Sequence, residues 1–238
     1  MATPTVVTGS LSAQASGTTR VPVIPTHAAD DILVTTAMCN VSDTISISGG
    51  WTEIDVQDNV NMSTGWWWKR AAGSSETNPT VTFGVAGSGT NIHAAWVMVV
   101  TGCVTSDTPY EGLNMKGSPT FDNAGKFGDI TTLGTNRLVM GMLVYDALVS
   151  QSNTVLTGWT EDDNNGSAVG AGMAYFTLSK SEASITTVGE LAPVNSPGTS
   201  SPNAYWRSAT LAWRDTAPAG GGGSSITLHQ RSLKGVGF

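Results

Sequence analysis

The chain is poor in charge, in cysteine, in histidine and in long apolar runs, and each shortage excludes something. Lys, Arg, Asp and Glu make up 12% of the 238 residues, against 39% apolar residues. A disordered chain has the opposite balance, because it lacks the apolar surface to offset the entropy of ordering. The net charge is −7, which excludes a globally basic surface and with it a nucleic-acid partner. No apolar run reaches the roughly 18 residues of a membrane span, so no membrane partner is expected. The N-terminus, MATPTVVTGSLSAQASGTTR, has no basic start followed by an apolar block. No secretory signal is expected there, and the expected route is synthesis and use without Sec export.

Only two cysteines are present, Cys39 and Cys103. A disulfide or a reactive thiol is one reading. Two free thiols in apolar strands is the preferred one, since cysteine buries easily and cytosolic chains stay reduced. No histidine lies near either cysteine in sequence, so spacing gives a zinc site little support and no metal is expected. His27, His93 and His229 are far apart, and His93 reads as a capping or rim residue at the start of an apolar strand. No H-E-x-x-H, G-x-S-x-G or phosphate-binding glycine loop occurs, so neither a cofactor nor a catalytic residue is expected. Glu53, Asp55, Glu161 and Asp163 are the candidates for a glycosidase-type acid pair, but their symmetric placement points to a structural origin. The run EDDNNG, Glu161–Gly166, loosely matches a calcium loop; its twelfth position is Gly172, which cannot supply the bidentate carboxylate. Asn165-Gly166 reads instead as a tight hairpin turn.

What the chain does have is glycine, 28 residues of it, together with frequent Ser, Thr and Asn. That composition marks many turns between short strands, and no amphipathic stretch at helical spacing interrupts them. A duplication is also visible. Gly50-Trp51-Thr52-Glu53 returns as Gly158-Trp159-Thr160-Glu161, and the preceding Leu33-Val34 as Leu138-Val139. Each half offers about four strands, over 31–39, 65–71, 80–86 and 93–101, then 137–145, 172–179, 184–189 and 206–214, with a further strand near 4–14. A repeat this long is no solenoid. The expectation is an all-β, antiparallel, jelly-roll-like sandwich spanning 1–216, built from two similar four-stranded halves at about 20–110 and 130–216. The stretch 104–136 between them reads as an ordered surface excursion.

The composition then shifts. Residues 217–225 are a Gly-rich linker, and 226–238, ITLHQRSLKGVGF, form a tail with cations and no acid. Its apolar residues Ile226, Leu228, Leu233 and Phe238, with Arg231 and Lys234, read as a peptide that docks on a neighbouring subunit. The competing reading is a last strand folding back on its own domain.

The stretch GWWWKR, residues 65–70, poses a question of parity, because successive strand residues face opposite sides. Aligning the two GWTE motifs places Trp67 over Tyr175 and Trp68 over Phe176. In the second half Ala174, Phe176 and Leu178 share one apolar face. By analogy Trp66 and Trp68 face the core, while Trp67, Lys69 and Tyr175 face outward. Cover by the 104–136 excursion, a subunit interface and a stacking platform for a sugar ring are the three uses of such an outward ring. Trp51 and Trp159, in the repeated turns, are expected to plug an end of the sandwich.

The order of these motifs resembles a family. An LV strand, the GWT turn, WWWKRA, NPTVTF and AAWVMVVTG, followed by ITTLGTNRLVMGMLVYD, GWTEDD, AYFTLSK and SATLAWRDTAP, are similar to β-sandwich structural proteins of tailed-phage and prophage virions. The resemblance covers about residues 20–216. It implies a non-enzymatic head decoration, fibre or tail accessory protein, made in the host cytoplasm and located in the virion. The partners it implies are other capsid or tail proteins and further copies of the chain, with a trimer expected by analogy. It supplies no catalytic residues. The alternative is a carbohydrate-binding module that recognises host-surface glycan through Trp67, Lys69 and Tyr175.

Overall fold

The computed structural model describes residues 3–14, 17–58, 61–87, 92–118, 125–146, 151–154, 157–165, 173–190, 194–197 and 205–216. The tail residues Ile226 to Phe238 lie outside them. Among the described residues every regular element is a strand. The first eight are β1 (Thr5–Gln14), β2 (Gly17–Arg20), β3 (Ile32–Cys39), β4 (Ile45–Ile47), β5 (Thr52–Gln57), β6 (Ser63–Arg70), β7 (Val81–Gly87) and β8 (His93–Thr101). Nine follow: β9 (Tyr110–Ser118), β10 (Ile130–Thr131), β11 (Arg137–Asp146), β12 (Gln151–Thr154), β13 (Thr160–Asn165), β14 (Met173–Glu182), β15 (Thr187–Val188), β16 (Val194–Pro197) and β17 (Tyr205–Arg214). Every strand expected from the sequence is among them.

The pairing order repeats. Strands β1-β8-β3-β6-β5 form one five-stranded antiparallel sheet, and β9-β17-β11-β14-β13 form another. The first half adds a three-stranded sheet, β2-β7-β4, and the second adds two small ladders, β10-β15 and β12-β16. The stretch 104–136 is therefore not a surface excursion: β9 is the edge strand of the second sheet, paired with β17 along its length.

The two five-stranded sheets face each other across one apolar core. Ile32, Val34, Trp66, Trp96, Met98 and Val100 come from one sheet, and Leu138, Met140, Met142, Tyr175, Leu211 and Trp213 from the other. Each sheet buries its far face as well. In the first half Trp67, Ala37 and Ala95 pack under Ile45, Val81 and Phe83 of the β2-β7-β4 sheet. In the second, Leu143, Phe176 and Trp206 pack under Phe127, Ile130 and Val188. The molecule is thus a β-sandwich with an extra layer on each side.

That layering explains the sequence pattern of the central strands. Strand β3 is buried at every position, as are all but the last residue of β8. A strand covered on both faces reads as a continuous apolar run, without the alternation of a half-exposed strand. Both cysteines are free and buried.

Candidate functional site

Parity holds in the first half and inverts in the second. Trp66 lies in the inter-sheet core and Trp68 packs against it, while Trp67 points to the other face. Trp67 is nonetheless only 3% exposed. The cover is not the 104–136 stretch but β4 and β7, whose Ile45, Val81 and Phe83 close over the ring. Trp67 also lies across Gly65, where a Cβ would meet the ring at 2.0 Å. Lys69 is partly buried and pairs with Glu76 at 2.5 Å. Glu76 also accepts from the Ala72 N–H, at 2.6 Å.

Tyr175 does not face outward. It stacks on Trp96 of the opposite sheet with ring centroids 4.1 Å apart, and its hydroxyl donates to Asp163 at 2.9 Å. Burial, with Asp163 beside it, raises the phenol above its ordinary range. The reason for the inversion is a loop length. Gln57 pairs with Thr64, seven positions on, whereas Asn165 pairs with Tyr175, ten positions on. Three extra residues are an odd number, and an odd slip turns every side chain to the other face. Trp67 therefore corresponds to Leu178, not Tyr175. The same pairing shows that Asn165 is a ladder residue facing Tyr175, so it does not form the corner of a two-residue turn. Leu33 likewise corresponds to Val139 and not to Leu138: Leu33 packs on the outer face, whereas Leu138 lies between the sheets. Trp67, Lys69 and Tyr175 are consequently not brought together on one surface.

The repeated GWTE motif builds a corner and a bulge. Gly50 and Gly158 take φ of 75° and 82°, values that cost glycine nothing and other residues strain. Trp159 is buried beneath the second half's outer layer, and Trp51 packs partly buried in the corresponding place. The ladder then slips at the same point in both halves, between Glu53 and Asp55 and between Glu161 and Asp163. Ile54 and Asp162 are the inserted residues. Ile54 packs against the inter-sheet core. Asp162 lines a cleft of about 220 Å³ with Pro4, Thr5, Leu138, Thr160 and Ser179. Burial pushes its carboxyl up to about 6, against the opposing hydrogen bond from Ser179, which is 2.8 Å long. A carboxyl shifted towards neutrality in a cleft is a candidate site. Asp163 is engaged with Tyr175 and Asp55 with Gln57, at 2.7 Å.

A second cluster lies under the β2-β7-β4 sheet. Strands β3 and β8 pair with Cys39 directly opposite His93, although neither the spacing nor any motif links them. Asp43, in the turn after β3, completes the group. One donor atom from each of the three lies within 4.8 Å of the others. His93 Nε2 is 3.7 Å from Asp43 Oδ2, with the two side chains 0% and 1% exposed. Asp43 is held from two sides: its N–H donates to Ser63 Oγ at 2.8 Å, and its Oδ1 accepts from the Val85 N–H at 3.0 Å. Phe83 stacks on the imidazole at 4.1 Å. Arg20, itself buried, donates to the His93 carbonyl at 3.0 Å. Burial, and then the Arg20 charge, hold the imidazole below its ordinary pKa, so it is neutral at pH 7 and its ring nitrogens can ligate. Burial pushes the Cys39 thiol up to about 12, with a backbone hydrogen bond from Val41 acting in the opposite direction. His93 is thus a core residue and not a rim residue.

No family model, no curated protein and no solved structure matches the chain.

Proposed function

We propose that the chain is a non-enzymatic structural component of a tailed-phage particle, assembled through contacts with other virion proteins and with further copies of itself. The observation that carries this reading is the layered architecture. Two five-stranded sheets of the same pairing order share one apolar core, and each is covered again on its far side. Such a block is stiff, because its central strands are packed on both faces and cannot shear without opening a core at close-packed density. The motif order of residues 20–216 supports the same reading. A jelly-roll-like description also draws on the path of the first half, where the chain alternates between principal and outer sheet from β1 to β4 and again from β6 to β8.

In this proposal attachment falls to the tail. Arg231 and Lys234 place cations on a chain of net charge −7, and Ile226, Leu228, Leu233 and Phe238 add apolar anchors beyond a Gly-rich linker. The glycan-binding alternative was built on Trp67 and Tyr175 as exposed rings. Both are buried, so no observation favours it.

The test is incorporation. Particles purified from an induced or infected host culture are expected to carry the protein at a repeating copy number by quantitative mass spectrometry. A variant lacking residues 224–238 is expected to fold and to be missing from particles. Absence of the full-length protein from every particle fraction would overturn the structural role, and normal occupancy of the truncated form would overturn the docking role of the tail.

A further inference from the structure

We propose that Cys39, Asp43 and His93 form a zinc site that staples β3, β8 and the β4 turn together beneath the outer sheet of the first half. Three observations carry it. The first is the donor set. One sulfur, one imidazole nitrogen and one carboxylate oxygen converge within 4.8 Å, and mixed S/N/O donors of this kind suit zinc, whereas Mg²⁺ and Ca²⁺ prefer oxygen alone. Ligands bonded to a tetrahedral zinc at roughly 2.0–2.3 Å lie on the order of 3.5 Å from one another. The 3.7 Å from His93 Nε2 to Asp43 Oδ2 is close to that, and no pair in the set, at 4.8 Å or less, has to close by more than about 1 Å.

The second is that the donors are buried and have coordination capacity to spare. The Asp43 Oδ2 has no hydrogen-bond partner among the described residues, and beyond a contact with the Gly17 backbone the His93 ring keeps a second nitrogen without one. Buried polar atoms are nearly always paired, since each unpaired one costs about 1–3 kcal/mol. The surroundings meanwhile hold the donors in place: Val41 reaches the sulfur, Ser63 and Val85 fix Asp43, and Phe83 lies flat on the imidazole. This is the outer shell that a ligand set requires.

The third is the internal duplication. The ladder pair Cys39–His93 has its counterpart in Tyr145–Trp206. In the second half that place is filled by aromatic volume, with Tyr145 set edge-on to Phe176 at 5.9 Å. The first half has smaller, ligating groups at this pair instead, which leaves room for an ion beside the apolar packing of Trp67, Val81 and Phe83.

On binding, the Cys39 thiol releases its proton to solvent and a Zn–S bond forms; His93 contributes a neutral nitrogen and Asp43 a carboxylate oxygen. Thiolate and carboxylate cancel the two charges of the ion, so Arg20 faces a neutral centre. These three ligands leave the fourth position of the tetrahedron open.

The experiment uses the full chain, stripped with a chelator, with Co²⁺ and then Zn²⁺ as probes. One equivalent of Co²⁺ is expected to bind, with a thiolate-to-cobalt charge-transfer band and tetrahedral visible bands, and Zn²⁺ is expected to bleach both. Cys39→Ser should abolish the charge-transfer band, while Cys103→Ser should keep it. Asp43→Asn and His93→Gln should each weaken binding by more than about 100-fold, since outer-shell losses alone cost about 10–100-fold. The wild-type titration stands even where a variant fails to fold. The proposal is overturned if wild type binds no Co²⁺, either as the folded protein or when refolded in its presence, or if the band survives Cys39→Ser.

Discussion

Asp162 and Ile54 occupy the same place in two copies of one bulge, yet one is charged and the other apolar. The apolar choice matches the surroundings, and the carboxyl answers by moving towards neutrality, to about 6. An unfolded aspartate titrates near ~3.9. Between about pH 4 and pH 6 the folded chain holds a proton that the unfolded chain has released, so stability falls as pH rises through that window and stays lower above it. Asp162→Asn keeps the acceptor for Ser179 and removes the titration. It should raise stability at pH 7.5 by about 1–2 kcal/mol, a gain that vanishes below pH 4. Urea unfolding at both pH values checks it, and a pH-independent effect would contradict the assignment. Asp146, pushed by burial to about 7, adds a component of the same sign. Trp67 gives the second prediction at this scale. A ring so enclosed should cost about 3–5 kcal/mol when cut to alanine. An outward contact residue would leave the isolated protein's stability unchanged, so chemical denaturation separates the two placements.

Among elements, the β9 edge of the second sheet depends on one arginine. Arg137, at the start of β11, donates through Nε to Glu111 of β9 at 2.8 Å and through Nη1 to Asp215, beyond β17, at 3.1 Å. The Glu111 Oε1 atom also takes the Leu133 N–H at 2.6 Å. All three side chains are at most 13% exposed. Removing the cation leaves two carboxylates facing each other with little water, and breaking a buried pair costs about 3–5 kcal/mol. Partial exposure moderates this, so Arg137→Met should lose about 2–3 kcal/mol, with hydrogen exchange rising first in β9. Uniform loss of protection across both sheets would argue against this local role. The bulges are the other lesson at this scale. The GWTE motif encodes a left-handed glycine, a tryptophan tucked under the outer layer and a ladder slip, and all three recur. The length of the following hairpin is not part of the motif. Equal counting from GWTE therefore misaligned the halves by an odd number; Phe176 and Leu178, taken as facing the core, face the outer layer instead, and the two errors cancel for Trp66, Trp67 and Trp68 while leaving Tyr175 on the wrong face.

For the whole molecule the inter-sheet core decides cohesion. Trp66, Trp96 and Trp213 are completely buried within it, and separating the halves would expose all three, at about 1.5–3 kcal/mol for each large side chain. Chain cut in the turn at 105–108 should therefore not yield two independent domains. Expressed alone, each fragment should self-associate or bind a hydrophobic dye, and co-expressed they should purify as a one-to-one complex. Two fragments that each unfold cooperatively as monomers would refute the shared core. Unlike this core, the Cys39–Asp43–His93 group belongs to the first half alone, so its contribution should appear in that fragment's layer and leave the second sheet unaffected.

The sequence by itself determined the strand class and the place of β1, β3, β6, β8, β11, β14 and β17, but not of β5, β9 or β13, because the former depend on local periodicity, turn residues and composition. It also determined which of the three tryptophans share a face, since alternation is a property of one strand. Only the tertiary structure decided what covers Trp67, which face Tyr175 occupies, and that Cys39 meets His93. Each of these depends on register between segments far apart in the chain, and register is set by loop lengths and by packing on a second layer that no local pattern records.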